Sequence, residues 1–92
     1  MLLPMGKDLS NANNIKYTFE SVTKLTVVAF DFTKVEKITD EYCEAFYQEY
    51  IWLLNPGTIY ANDLVFNVFK NTLPDRVGTD NFINRIEVVE NV

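Results

Sequence analysis

The chain has 92 residues, enough for one domain, residues 1–92, without room for a second core. Thirteen acids against eight bases give a net charge of −5 with no basic cluster, which excludes nucleic-acid binding through several Lys or Arg neutralising phosphates together. A hydrophobic content of 48% argues against disorder, and the absence of histidine removes the commonest general base and the usual metal ligand.

Met1 to Met5 is too short for a signal-peptide core, and no apolar run approaches the length of a membrane span. No membrane association is expected, and the expected location is the cytoplasm or, equally, the interior of an infected bacterial cell. After Gly6, the segment Asp8 to Val22 places Ala12, Ile15, Phe19 and Val22 at spacings of three and four. This predicts an amphipathic helix with Asp8 as its cap. Asn11, Asn13, Asn14 and Thr18 lower its propensity, so a strand over Ile15 to Phe19 is the alternative.

Leu25 to Phe30 is β-branched and aromatic without a polar face, the pattern of a central strand buried on both sides. Asp31 to Ile38 then alternates up to Thr39-Asp40-Glu41, a helix start with a capping hydroxyl and two acids in the first turn. The helix runs from Asp40 to Leu54, with Tyr42, Phe46, Tyr50 and Leu53 on one stripe, and Asn55-Pro56-Gly57 stops it. Thr58 to Ala61 reads as a short strand. A third helix, capped by Asn62 or Asp63, carries Val65, Val68, Phe69, Thr72 and Leu73 up to Pro74. A last strand near Asn84 to Val89 follows, with a short helix from Thr79-Asp80 as an open alternative. Strands alternating with helices give an α/β class, a small sheet of parallel βαβ units.

Chemistry is sparse. Cys43 is alone and cannot form an internal disulfide, and with no histidine partner it reads as a packed thiol. The acids Asp31, Glu36, Asp40, Glu41 and Glu44 fall at strand ends and helix starts with no second ligand cluster, and no Gly-rich phosphate loop is present. No catalytic residue, metal or cofactor is expected. The aromatic load of the second helix is the stronger signal. Tyr42, Phe46, Tyr47, Tyr50 and Trp52 cover more than half its circumference, and Trp52 lies roughly 200° around the helix from Tyr50. Tyr47, Ile51 and Trp52 are therefore candidates for an interface with a protein partner or with a second copy in a homodimer.

Val27 to Phe32, then Val35, Ile38 and Thr39 to Phe46, resembles the strand, Asp-Phe, capped helix pattern of STAS-like domains, the small bacterial relatives of anti-sigma-factor antagonists. Gly6-Lys7-Asp8-Leu9 is similar to the entry of that branch, and the resemblance spans Gly6 to Leu73. It implies a STAS-like α/β fold and a non-enzymatic interaction module. Its partners in that family are often kinase-like ATPases or other regulators, met through the strand-to-helix loop, here including Asp40 and Glu41, and the following helix. Regulatory STAS domains carry a phosphorylatable Ser at the place taken here by Ile38-Thr39-Asp40-Glu41. Thr39 is thus the candidate switch, and its other reading is a plain N-cap. A small acidic phage-type inhibitor of a host or defence protein is the alternative function.

Overall fold

The computed structural model describes residues 2–22, 28–53, 56–73 and 77–89. Leu25 to Val27, Leu54, Asn55 and Pro74 lie outside them. Within them, four parallel strands, β1 (Leu2–Pro4), β3 (Val28–Phe32), β5 (Pro56–Ala61) and β6 (Ile86–Val88), form one sheet in the order β1-β3-β5-β6. Two shorter strands, β2 (Asp8–Leu9) and β4 (Lys37–Ile38), pair in parallel as a separate ribbon. The helices are α1 (Ile15–Val22), α2 (Asp40–Tyr50), α3 (Asp63–Thr72) and α4 (Val77–Asn84). The fold is α/β, with strands and helices in alternation.

The side chains show which face the helices occupy. Phe30 and Phe32 are two residues apart on β3 and share one face of the sheet. Phe19 of α1 meets Phe30, Phe46 of α2 meets both, and Phe69 of α3 meets Phe32. Phe82 of α4 joins Phe46 and Phe69. All four helices therefore lie on one face, the arrangement expected when each crossover has the same hand and each step moves the same way across the sheet. Phe46 is the hub, with Phe19, Phe30, Phe32, Tyr50, Phe69 and Phe82 at centroid distances of 5.0 to 6.3 Å.

Several expectations are corrected. β3 is an inner strand, but it is not buried on both sides. Phe30 and Phe32 are fully buried, whereas Ala29 and Asp31, on the opposite face, are partly exposed because among the described residues no helix covers that face. Asp8 does not cap a helix. It pairs with Lys37 in the ribbon, and α1 begins only at Ile15, after Asn11 accepts from the Asn13 backbone N–H at 3.1 Å and starts a 3-10 turn. The asparagines divert the backbone into local side-chain bonds that compete with the helix. The alternative of a strand over Ile15 to Phe19 fails, since Ile15 and Phe19 are buried one helical turn apart.

α2 ends at Tyr50, not Leu54. Its last turn tightens, with Trp52 N–H donating to the Glu49 carbonyl at 3.3 Å and Leu53 N–H to the Tyr50 carbonyl at 3.1 Å. Pro56 and Gly57 open β5 in place of a loop, and the first residue of a strand is a position where the missing N–H is tolerated. At the C-terminal end α4 is present and the last strand shortens to Ile86–Val88. Phe82 reaches the core from a helix, and Arg85 N–H closes that helix on the Phe82 carbonyl at 3.0 Å. Leu2–Pro4, with no periodic pattern to mark it, is an edge strand beside β3.

Candidate functional site

The C-terminal edge of a parallel sheet is where α/β proteins usually place a ligand, and here backbone and side-chain bonds close it. Lys7 on the way from β1 accepts at its carbonyl from Glu36 N–H at 2.7 Å and Lys37 N–H at 3.1 Å, and Leu9 accepts from Thr39 N–H at 3.2 Å. Asn62 binds the same corner from β5. Its Oδ1 accepts from Val65 N–H at 2.9 Å as the cap of α3, while its Nδ2 donates to the carbonyls of Val35 at 2.8 Å and Thr33 at 3.3 Å. The sequence marks Asn62 as a cap; the bridge to the β3–β4 loop joins residues far apart in the chain and has no local signal.

Thr39 stands at this corner, half-buried, with extended backbone. Its hydroxyl accepts from Tyr42 N–H at 3.2 Å, and its carbonyl accepts from Cys43 N–H at 3.1 Å. Asp40 is exposed and accepts from the Thr72 hydroxyl at 3.0 Å, and Glu41 is exposed beside it. Asp31 is separated from these acids. It lies on the helix-free face and accepts from the backbone and hydroxyl of Thr33. Among the described residues, no group of three or more His, Cys, Asp or Glu is arranged to hold a metal ion.

Cys43 is fully buried under α2. Burial first, then the negative charges of Asp40 and Glu44, push its thiol up to about 12, so at neutral pH it holds its proton and offers no thiolate for nucleophilic chemistry. The Tyr42 hydroxyl is likewise pushed up to about 12 by burial and by neighbouring Cys43.

The interface candidates do not form one patch. Tyr47 is half-buried and packs edge-on against Phe82 at 5.1 Å, its hydroxyl close to Gly78 at the start of α4. Asp40 and Glu41 lie about 15 Å along α2 from its other end, at 1.5 Å per residue. There Ile51 and Trp52 are 47% and 79% exposed. Their outward direction follows from Tyr50, which is buried against Phe46 and Phe82 and donates its hydroxyl to the Gly57 carbonyl at 2.7 Å. That bond ties the end of α2, next to Ile51 and Trp52, to the start of β5.

A cleft of about 650 Å³ runs along the outer side of α2, between Glu41, Glu44 and Gln48 and the buried Leu73 and Thr79. Among the described residues no helix is long and apolar enough to cross a membrane. Compared with family models, curated proteins and solved structures, this chain matches none.

Proposed function

We propose that this chain is a non-enzymatic protein-interaction module of STAS-like type that docks a regulatory protein through the corner formed by Ile51 and Trp52. The observation that carries the reading is Trp52, 79% exposed on a corner anchored by Tyr50. An aromatic side chain of that size held in water gains apolar burial when a partner covers it, and Trp is enriched among the residues that dominate binding energy. Anchoring adds to this, because a corner tied at Tyr50 loses less conformational freedom on binding.

The buried, protonated Cys43 and the dispersed carboxylates support a binding role over catalysis. The regulatory character of the partner rests on the resemblance of Val27 to Phe46 to STAS-like domains. Thr39, at the loop between sheet and α2, is where such a module would be switched. Phosphorylation would replace the capping hydroxyl with a charged group at the positive end of the helix, beside the competing charges of Asp40 and Glu41.

The test is affinity capture with wild-type and Trp52→Lys baits, each verified as folded by circular dichroism, with bound proteins identified by mass spectrometry. A protein retained by wild type and lost from Trp52→Lys supports the reading. Equal retention by both baits overturns it.

A further inference from the structure

We propose that the bare face of the sheet docks an amphipathic helix of a partner protein, laid along β5 with its apolar stripe on Tyr60 and a basic residue on each border facing Asp31 and Glu87. Parallel sheets occur almost only where both faces are covered, because the crossovers between parallel strands lay helices on them. Here all four helices lie on the face of Phe30 and Phe32. None of the stretches outside the described residues exceeds five residues. That is about 7.5 Å of helix, half of the roughly 14 Å that four strands span. A helix covering the second face therefore comes from elsewhere.

The strand register shows what such a helix meets. Pro4, Asp31, Tyr60 and Glu87 are neighbours across β1, β3, β5 and β6 and form one row on the bare face, with Leu2 and Ala29 in the row before it. Leu2 is 52% exposed and Ala29 and Tyr60 are half-buried, so apolar surface lies open between the two acids. Asp31 accepts hydrogen bonds from Thr33, and among the described residues neither Asp31 nor Glu87 has an ion-pair partner. Arg85, just before β6, lies beside the Tyr50 hydroxyl. The row thus carries two negative charges and no positive one. A second copy laid face to face would bring four carboxylates together between chains of net charge −5, so the charge selects a basic partner over self-association. The spacing selects a helix. Asp31 and Glu87 flank Tyr60 two strands apart, about 10 Å, and a helix is about 10 Å across. Lys or Arg on both borders of its apolar stripe would lay their stems on the sheet and hold their charges at the carboxylates. Neither Ile51 nor Trp52 takes part, so this face and the docking corner stand or fall separately.

The test is amide NMR on the full chain, titrated with a helical peptide of about 18 residues, long enough to hold a helix, whose leucine stripe is bordered on both sides by lysine. A second peptide has the same stripe bordered by glutamate, and a third carries its lysines only opposite the stripe. Shifts at Ala29, Asp31, Tyr60 and Glu87 with the first peptide, and weaker or absent shifts with the other two, are expected. The Asp31→Asn/Glu87→Gln variant, which keeps the Asp31 acceptor for Thr33, should bind the first peptide about fivefold more weakly, the scale of two solvent-exposed ion pairs. Glu87→Lys should lose affinity for the first peptide and gain it for one with glutamate on the border beside β6. Tyr60→Thr, verified as folded by circular dichroism, should weaken binding about tenfold through loss of the central aromatic. Equal binding of the three peptides, shifts confined to the region of Ile51 and Trp52, or unchanged affinity in both charge variants would overturn the proposal. So would shifts at the same four residues on raising the protein concentration alone, which would assign the face to a second copy.

Discussion

Phe46 sits where four helices and the sheet meet, and its truncation tests the packing most severely. Six aromatic rings lie within 6.3 Å of its centroid, two of them, Phe30 and Phe32, nearly perpendicular to it at 5.1 and 5.0 Å. Phe46→Ala removes a fully buried ring, for which loss of transfer energy and the remaining cavity together cost about 3 to 5 kcal/mol. Neighbours drawn from α1, α2, α3, α4 and β3 are each held by other contacts and cannot all collapse into the hole, which places the expected cost in the upper half of that range. A chain of this length has roughly 5 to 14 kcal/mol in total. The variant should therefore lose between about a third and nearly all of its stability at room temperature. Urea denaturation followed by far-ultraviolet circular dichroism measures the loss, and Phe46→Leu, which keeps most of the volume, should cost less than about 1.5 kcal/mol. A loss below about 1 kcal/mol in Phe46→Ala, with unchanged denaturant dependence, would refute the convergence of the four helices on this ring.

Thr39→Ala should lose roughly 1 kcal/mol through the cap of α2, and Thr39→Ser or Thr39→Asp little, as read from the same denaturation curves. Asn62→Ala should cost more, about 2 to 3 kcal/mol, because it removes a cap and two bonds to the β3–β4 loop. Asn62→Asp keeps the acceptor and loses both donors, and should fall between the two. Burial raises the Cys43 thiol from 9.0 to about 12 in the folded chain. The unfolded chain therefore releases this proton first, so the contribution is complete below pH 9 and is lost as pH rises through 12. Denaturation midpoints should fall across that window, and Cys43→Ala should flatten the portion that begins near pH 9. A midpoint independent of pH between 9 and 11 would contradict the buried placement of the thiol.

What the sequence disclosed was decided by periodicity and caps. The stripe of Tyr42, Phe46 and Tyr50 and the caps Thr39 and Asn62 stand in the structure as the pattern implies, because a cap needs only its own next turn. Elements without a period escaped. Leu2–Pro4 and Asp8–Leu9 are two or three residues long and become strands only through partners, β3 and β4, some 25 to 30 residues later in the chain. The two-sided burial expected of β3 failed because a uniformly apolar run does not show on which side the crossovers fall. Of the candidate site, the outward direction of Trp52 was legible from its angle to Tyr50. The cleft was not, since it joins α2 to Leu73 and Thr79 through tertiary packing and includes a threonine that no pattern distinguishes from an ordinary helix start.

Trp52 is the sole tryptophan, so its fluorescence reports directly on the docking corner. In the free protein, its emission should be that of a solvent-exposed indole and accessible to iodide quenching. On binding the captured partner it should shift to the blue and become shielded, and Trp52→Lys should weaken binding by about 30-fold, corresponding to about 2 kcal/mol for a dominant interface residue. Emission and quenching unchanged at saturating partner, together with equal affinity of Trp52→Lys, would contradict docking through this corner.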